Sequence, residues 1–304
     1  MSELIAFIGV GNMGNPMAQN LVKAGKKVKV FDVSENMIEK AKEKKLDVVK
    51  ILNNLITNEV TTVITMLPEG KNSKEVYLGN KGIINNVSKN CLLIDCSTID
   101  IQTSIEIGKK ATEKGIKMID APVSGGVMGA QKATLNIMVG GSKEAFDLAL
   151  PLLKIMGKNI FHAGELGSGN GAKICNNMSL GITMIAASES LMLAKRLNID
   201  IKKVHKIMKN ASGNSWPISV YPPLPGLIEG TPSNNNYRPG FSAGMMNKDL
   251  KLANECAKQV KASTPLGVMA LEIYSKFCEE GNDTKDFSAI SKVIGGDAWK
   301  YPID

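Results

Sequence analysis

Short apolar runs alternate with helix-like stretches over the first half of the chain. The runs cover residues 4–9, 28–32, 60–67, 91–95, 116–120, 135–139 and 160–162. Between most of them, apolar positions recur at the spacing of one helix face. This alternation of strands and helices predicts a mainly parallel sheet covered by helices on both faces.

The pattern changes after about Gly167, where only helical periodicities remain. A helix predicted over Lys173–Leu197 is apolar on several sides, which is typical of a helix buried among others. Further helices are predicted near residues 200–210, 245–260, 264–280 and 286–294. The fold class predicted is therefore α/β, with a Rossmann-type dinucleotide-binding domain over residues 1–163 and an all-α C-terminal domain over residues 164–304.

Two segments of the second half lack a helical pattern. Pro217–Gly240 contains six prolines and an asparagine run, which predicts a long loop, and long loops are often functional. The tail Ile294–Asp304 has no predicted role.

Composition narrows the possible partners. The chain has 304 residues, 43% hydrophobic and 22% charged, as in ordinary globular proteins with room for two domains. The net charge of +8 comes almost entirely from scattered lysines, because Arg196 and Arg238 are the only arginines. Arginine is the usual choice for recognising phosphates and bases, so no nucleic-acid partner is predicted.

Cysteine, histidine and hydropathy patterns argue against other classes. The five cysteines form no Cys-x-x-Cys pair and are predicted to be buried, reduced thiols, while His162 and His205 are too far apart to suggest a metal site. No uncharged stretch approaches the roughly 18–20 apolar residues of a membrane span, and no signal peptide precedes the first strand. We therefore expect a cytoplasmic protein without a membrane partner.

A glycine motif follows the first predicted strand. Gly-x-Gly-x-x-Gly between a strand and an amphipathic helix is typical of a turn that lets the backbone approach a pyrophosphate at a helix N-terminus. An acidic residue closes the next strand about twenty residues on, where it can accept from ribose hydroxyls and repel a 2′-phosphate, so NAD is favoured over NADP. The residues concerned are Gly9, Gly11, Asn12, Met13, Gly14 and Asp32.

A second glycine-containing segment follows the strand that ends at Asp120. Backbone N–H groups around Gly125 and Gly126, with the Ser124 hydroxyl, could form a nest for a substrate carboxylate. An ordinary turn at a strand exit would have the same composition, and that alternative stays open.

A third motif opens the long predicted helix. Lys173 and Asn177 are four residues apart and share a helix face among many apolar residues. Burying polar groups is costly, so their presence requires a reason. In the functional interpretation Lys173 exchanges a proton with a substrate hydroxyl or carbonyl, and Asn177 orients the substrate oxygen. A lysine that extends its ammonium to solvent, paired with the asparagine, is the structural alternative.

The three motifs in this order, with Lys248-Asp249 near the C-terminal helices, resemble the β-hydroxyacid dehydrogenase family over essentially the whole chain. The loop containing Ala211–Trp216, Tyr221–Gly226 and Asn235–Tyr237 resembles the branch that oxidises 3-hydroxyisobutyrate in valine catabolism. The shorter-looped reductases of glyoxylate or tartronate semialdehyde resemble it less.

The resemblance implies roles for further residues. It implies NAD contacts at Leu67, Pro68, Asn72, Thr98 and Lys248, a substrate carboxylate on Ser124–Gly126, catalysis by Lys173 and assistance from Asn177. It also implies a homodimer or homotetramer and a small 3-hydroxy acid as substrate. Gly171 departs from the alanine expected at that position and would loosen the helix start.

The function expected is NAD-dependent oxidation of 3-hydroxyisobutyrate to methylmalonate semialdehyde. One alternative is a reductase of a related semialdehyde, such as tartronate or succinic semialdehyde. A non-catalytic binding module on the same fold is another, although such a module need not keep the Lys173–Asn177 pair.

Overall fold

The computed structural model describes residues 3–57 and 59–296, so most of the tail from Ile294 onward lies outside the described residues. Its contacts divide the chain into two compact units, with the division between Lys173 and Ile174. The first is called the α/β unit and the second the helical unit. The predicted domain boundary at 163/164 falls slightly earlier in the chain.

Within the described residues, the α/β unit contains one nine-stranded sheet. Its strands are β1 (Leu4–Ile8), β2 (Lys27–Phe31), β3 (Asp47–Val48), β4 (Val60–Thr65), β5 (Leu92–Asp95), β6 (Lys117–Asp120), β7 (Val123–Ser124), β8 (Leu135–Gly140) and β9 (Gly157–Gly164). The order is β3-β2-β1-β4-β5-β6-β8-β7, with β9 also pairing with β8. The first six strands pair in parallel, whereas β8 runs antiparallel to β6 and β7.

Strand β1 shows why both faces of this sheet are covered. Ile5 and Phe7 belong to one buried cluster, whereas Ala6 and Ile8 belong to a second cluster on the opposite face. Because successive side chains of a strand point to opposite faces, a continuous apolar run requires helices on both sides. The α/β prediction is confirmed by this architecture.

Helices connect the strands of the α/β unit. They are α1 (Gly14–Lys23), α2 (Glu35–Glu43), α3 (Leu52–Leu55), α4 (Gly70–Leu78), α5 (Ile83–Asn86), α6 (Ile101–Glu113), α7 (Gly126–Gln131) and α8 (Lys143–Met156). Helix α1 is representative, since Met17, Ala18 and Leu21 lie on one face at helical spacing and are fully buried.

The long helix α9 (Ser168–Arg196) begins five residues before the predicted start at Lys173 and contains the division between the units. The helical unit continues with α10 (Ile201–Asn210), α11 (Trp216–Ser219), α12 (Ala243–Gln259), α13 (Pro265–Phe277) and α14 (Ser291–Gly295). A π-type segment, Cys278–Asn282, follows α13, and a 3-10 turn, Phe287–Ile290, precedes α14.

The predicted loop Pro217–Gly240 is irregular over most of its length but includes the end of α11 and a short 3-10 turn, Pro232–Asn234. The prediction that the cysteines are buried is wrong for Cys175, which is exposed, and only partly right for the half-buried Cys256 and Cys278. Cys175 faces outward on α9 although an apolar residue precedes it, because helix orientation rather than neighbouring residues sets exposure.

Neither a membrane-spanning helix nor a metal-binding cluster occurs among residues 3–57 and 59–296. No helix there combines the length and hydrophobicity that crossing a bilayer requires. In the same residues, no group of three or more His, Cys, Asp or Glu side chains is arranged to hold a metal ion.

Candidate active site

The turn after β1 is closed by two glycines that have no room for a side chain. Gly9 has a φ of +90°, and a Cβ there would lie 2.3 Å from the Met66 carbonyl oxygen. A Cβ on Gly14 would lie 1.9 Å from the Gly9 carbonyl oxygen. These glycines therefore bring the start of α1 against the ends of β1 and β4, where the strand order changes direction.

Gly11 differs from both, because a Cβ there would meet no atom within 4 Å. Its missing side chain therefore leaves space on the outside of the turn and is not needed for internal packing. The N-cap Met13 makes no side-chain hydrogen bond, and the first turn of α1 carries no acidic residue. An open backbone surface at a helix N-terminus fits the pyrophosphate of a dinucleotide.

Asp32 is fixed by backbone donors directly after β2. Val10 N donates to Asp32 Oδ2 at 2.8 Å, and Ser34 N donates to Oδ1 at 2.9 Å. The carboxylate is half-buried, so lone pairs remain accessible for the hydroxyls of a ribose. The open backbone at Gly11 and the acceptors of Asp32 thus fit NAD. The negative charge of Asp32 disfavours the 2′-phosphate of NADP.

The segments that follow β4 and β5 are joined by a serine. Ser97 is fully buried, its Oγ accepts from Leu67 N at 2.8 Å, and its own N–H donates to Asp95 Oδ1 at 3.0 Å. Asp95 Oδ1 also accepts from Thr65 Oγ1 at 2.8 Å. Burial raises the pKa of the Asp95 carboxyl, and the neighbouring Asp120 adds to that increase.

The remaining candidates for cofactor contact lie on these same segments. Leu67 and Thr98 are half-buried, Pro68 is exposed, and Asn72 lies in the first turn of α4. Asn72 Oδ1 is buried and has no hydrogen-bond partner among the described residues. A buried acceptor of this kind fits a donor from a bound molecule.

The Ser124 segment follows β6, the strand that ends at Asp120, and begins with the short strand β7. Ser124 ends β7, which pairs antiparallel with β8, and is half-buried. Gly125 and Gly126 both have positive φ, of 132° and 63°. These values place both glycines in a tight turn at the start of α7, and backbone N–H groups in a turn can bind an anion such as a carboxylate.

The start of α9 is fastened to the end of β6 by a buried carboxylate. Asp120 Oδ1 accepts from Gly167 N at 2.7 Å, and Oδ2 accepts from Asn170 N at 2.7 Å. Burial raises the pKa of Asp120, and these hydrogen bonds oppose the increase. A Cβ on Gly169 would lie 2.8 Å from Asp120 Oδ2, so the glycine makes room for the carboxylate.

Lys173 lies one turn after these contacts, on the part of α9 that belongs to the α/β unit, and its exposed fraction is 7%. A lysine this buried at a helix start is a candidate for proton exchange with a ligand. Lys173 therefore belongs to the same unit as the glycine turn, Asp32 and the Ser124 segment.

Asn177 is the next residue of that helix face and is 1% exposed. Within the helical unit, Asn177 Nδ2 donates to Asp249 Oδ2 at 2.5 Å, and Lys248 Nζ lies 3.2 Å from Asp249 Oδ1. The latter contact is an ion pair without the alignment of a hydrogen bond, since Oδ1 lacks a hydrogen-bond donor among the described residues. Lys248 and Asp249 are thus neighbours in sequence whose opposite charges lie in contact.

The loop between α11 and α12 is fastened to one buried aspartate. Asp286 Oδ2 accepts from Tyr221 OH at 2.8 Å and Gly240 N at 2.9 Å, and Oδ1 accepts from Ser288 Oγ at 2.6 Å. Trp216, which is 47% exposed, stacks on Tyr221 with ring centroids 4.9 Å apart. Burial and the adjacent Asp286 raise the pKa of Tyr221, so it remains a hydrogen-bond donor.

Sequence reasoning missed the buried residues that hold these segments together. Asp95, Ser97, Asp120 and Asn170 occur at strand ends or in a glycine-rich stretch, with partners as many as 71 positions away. Their one local signal is the position of both aspartates at the carboxyl ends of apolar strands, where ligands of α/β proteins bind.

Comparisons with known proteins show the family to which the two units belong. A family model described as the NAD binding domain of 6-phosphogluconate dehydrogenase matches residues 4–164. A second, described as NAD-binding of NADP-dependent 3-hydroxyisobutyrate dehydrogenase, matches residues 167–294.

Similar proteins match over nearly their whole length. The chain is 42% identical to 3-hydroxyisobutyrate dehydrogenase of Pseudomonas aeruginosa over 298 residues, covering 96% of this chain and 98% of the relative. It is 39% identical to an NAD-dependent L-serine dehydrogenase of the same organism, covering 95% and 97%. A solved structure of Mycobacterium tuberculosis 3-hydroxyisobutyrate dehydrogenase with L-serine matches with a TM-score of 0.91 at 38% identity, covering 97% and 100%.

Proposed function

Because the chain belongs to the 3-hydroxyisobutyrate dehydrogenase family and is an NAD-dependent oxidoreductase, we propose that it oxidises 3-hydroxyisobutyrate to methylmalonate semialdehyde. The observation that carries the proposal is a buried amine, Lys173, in the unit that also holds the glycine turn and Asp32. Relatives named for this reaction are 42–43% identical over nearly the whole chain, which supports the choice of substrate.

The substrate carboxylate binds at Ser124, Gly125 and Gly126 in this proposal. The two positive-φ glycines form a turn whose backbone N–H groups would bind the carboxylate, and the Ser124 hydroxyl would add a donor. Holding the carboxylate limits how far away the 3-hydroxyl can lie, since only two carbons intervene. The reacting end is thereby oriented without a charged side chain at this segment.

Lys173 Nζ takes the hydroxyl proton in the proposed oxidation and returns it in the reverse reaction. The cofactor, when bound, supplies the hydride-accepting carbon of its nicotinamide ring. Asn177 orients the substrate oxygen. Its Oδ1 accepts from Asn176 Nδ2 at 2.9 Å, and Nδ2 donates to Asp249, so its amide plane is held from both ends.

The roles proposed for the cofactor-binding residues follow from position. Gly9, Gly11, Asn12, Met13 and Gly14 would hold the pyrophosphate at the start of α1, and Asp32 the adenosine ribose. Leu67, Pro68, Asn72 and Thr98 would line the nicotinamide half, because they follow the next two parallel strands of the sheet. Lys248 is proposed to contact the cofactor, with Asp249 beside it.

L-Serine is a second candidate substrate. A relative 39% identical to this chain is named as an L-serine dehydrogenase, and the similar structure from M. tuberculosis contains L-serine. L-Serine and 3-hydroxyisobutyrate share the carboxylate and the 3-hydroxyl and differ only in an ammonium or a methyl group at the middle carbon. Both would therefore use the same proton acceptor.

The decisive experiment compares kcat/KM for 3-hydroxyisobutyrate, L-serine, glycerate and 4-hydroxybutyrate, each with NAD and with NADP. The proposal requires 3-hydroxyisobutyrate with NAD to be the best pair. A higher kcat/KM for L-serine would replace the substrate while leaving the reaction class in place. Absence of cofactor reduction with all four acids would overturn the assignment.

We also propose that the protein is a homodimer or homotetramer. The helical unit exposes large apolar side chains, including Leu193, Val260 and Leu266, each more than half exposed in a single chain. Association would bury such side chains where they lie together in one patch. Sedimentation equilibrium of the purified protein would give the mass of the assembly, and a monomer at micromolar concentration would contradict the proposal.

A further inference from the structure

Asn170 is a fully buried amide in the first turn of α9, and each of its polar groups has a defined partner. Its Oδ1 accepts from Ile99 N at 3.0 Å, and its Nδ2 donates to Ser104 Oγ at 2.9 Å. Since Ile99 N is a donor, the amide orientation follows from the contact itself. The side chain therefore joins α9 to the segment after β5 and to the first part of α6.

The backbone of the same residue is fastened to a third element. Asn170 N donates to Asp120 Oδ2, and Gly167 N donates to Asp120 Oδ1. A short helix start that contains Gly169 and Gly171 has little helical preference of its own. Its conformation therefore depends on these contacts, and Asn170 makes three of them.

Lys173 follows Asn170 by three residues, about 4.5 Å along the helix axis. Thr98, proposed above to contact the cofactor, directly precedes Ile99 in the sequence. One amide thus connects the backbone beside a proposed cofactor contact with the helical turn that carries the proposed proton acceptor. Leucine or methionine could fill the same space without making these hydrogen bonds. A buried amide, in contrast, requires a partner for each of its polar atoms, so its presence here indicates that the hydrogen bonds matter.

We propose that Asn170 is a positioning residue that fixes Lys173 relative to the segment Ser97–Ile99, an inference that rests on the proposed catalytic role of Lys173. Asn170 itself touches neither substrate nor cofactor in this proposal. It acts through the helix backbone, because movement of the first turn of α9 would break its bonds to Ile99 and Ser104. Asp120 supports the same turn from β6.

The first test measures the position of Lys173 without using the reaction. Competitive labelling with acetic anhydride, quantified by mass spectrometry, reports how accessible and reactive each lysine is in the ligand-free protein. Asn170→Ala should increase labelling of Lys173 several-fold relative to the exposed Lys110 of the same molecule. Ser104→Ala is the matched variant, because it keeps the bond to Ile99 N, and it should increase labelling much less.

The second test separates positioning from general loss of structure. With the better hydroxy acid, Asn170→Ala should lower kcat by about 100-fold, the size expected for a misplacement of about 1 Å. In a Lys173→Ala background the same substitution should lower the residual rate no further, because the group that Asn170 positions is already absent. A merely structural role would lower the rate by the same factor in both backgrounds.

The outcomes distinguish this inference from the proposed function. Unchanged Lys173 labelling in Asn170→Ala, or equal rate losses with and without Lys173, would overturn the positioning role. If the wild-type protein oxidises none of the hydroxy acids, the proposed function fails, while the labelling result still decides whether Asn170 fixes the position of Lys173. Should Asn170→Ala be insoluble, Asn170→Gln keeps the amide but displaces it, and the same labelling increase is expected.

Discussion

Asn177 Nδ2 donates a hydrogen bond of 2.5 Å to Asp249 Oδ2, and both side chains are buried in the helical unit. The two residues are 72 positions apart in the sequence. The contact gives the buried amide on α9 a charged partner, and it gives the carboxylate on α12 a hydrogen-bond donor in addition to its ion pair with Lys248. Hydrogen bonds to a charged group are stronger than neutral ones, so this pair orients Asn177 firmly.

Asn177→Asp should destabilise the protein at neutral pH, because it places two carboxylates in contact. Protonation of one carboxyl relieves the repulsion, so the deficit in the free energy of unfolding relative to wild type should shrink as the pH falls. Urea unfolding at pH 5 and pH 8 measures this. Asn53→Asp, at an exposed position in the α/β unit, is the control and should show little of either effect. A deficit independent of pH would argue against close contact between the two carboxylates.

Lys173→Ala should reduce kcat by about 10²–10⁴-fold, the range typical of losing a general acid or base. NAD binding, followed by isothermal titration calorimetry, should be retained, because Lys173 is not among the residues proposed to hold the cofactor. Cys175→Ala, two residues away on an exposed part of α9, should keep normal turnover. Near-normal turnover of the lysine variant would remove Lys173 from the mechanism.

Asp32→Ser should weaken discrimination between the two nicotinamide cofactors. Loss of the charged acceptor for the ribose hydroxyls should reduce kcat/KM for NAD by roughly 10–100-fold. The kcat/KM for NADP should increase, because the repulsion of its 2′-phosphate disappears. The exposed Glu35→Gln changes a nearby charge and should leave the preference intact. An unchanged ratio of kcat/KM for the two cofactors would place the ribose elsewhere.

Gly171→Ala should stabilise the protein by about 0.4–1 kcal/mol, since alanine favours the helix and lowers the entropy of the unfolded chain. The added Cβ would lie 3.5 Å from Ile101 Cδ1, an ordinary contact. Gly169→Ala is the matched substitution two residues earlier, where a Cβ would lie 2.5 Å from the Met138 carbonyl oxygen, and it should destabilise. Thermal unfolding of both variants checks the opposite signs.

The buried Asp95 should make stability depend on pH. Burial raises the pKa of Asp95 above its value in the unfolded chain, and the neighbouring Asp120 adds to the increase. Hydrogen bonds from Thr65 and Ser97 oppose the increase. The favourable contribution of Asp95 is thus fully present below the unfolded pKa and is lost as the pH rises through the folded pKa. The free energy of unfolding of Asp95→Asn should therefore increase relative to that of wild type as the pH increases.

Chemical unfolding across pH 4–8 would show this gain, with the exposed Asp47→Asn as the control. The amide introduced by Asp95→Asn would keep an acceptor for Thr65 Oγ1 and Ser97 N, so the fold has no reason to change. A constant difference between variant and wild type at all pH values would mean that Asp95 does not titrate as its burial implies.

A strand could be predicted only where its own residues form a recognisable apolar pattern. Strands β1, β4, β5 and β6 follow directly from apolar runs bounded by polar segments, because burial on both faces leaves a clear sequence signal. Strand β2 instead alternates lysine with buried valine. The two-residue strands β3 and β7 leave no such signal, since they are formed by pairing with an existing strand. The family, the NAD cofactor and the oxidoreductase class also followed from the sequence and are confirmed.

The start of α9 shows what local preference could not determine. Ser168, Gly169, Asn170 and Gly171 are poor helix formers, so a helix was predicted only from Lys173, yet the helix begins at Ser168. Hydrogen bonds from Gly167 N and Asn170 N to Asp120 compensate for that weak preference. The acceptor lies about fifty residues away, so no window of sequence contains both partners.

By itself, the sequence determined the order of strands and helices, the glycine turn with Asp32, and the placement of Lys173 and Asn177 on one helix, because each is a pattern within a few turns of chain. Only the tertiary structure decided which buried carboxylate meets which amide, as in Asp120 with Asn170 and Asp249 with Asn177. Such pairs form when folding brings distant segments together and removes water, and burial then demands a partner for each polar atom.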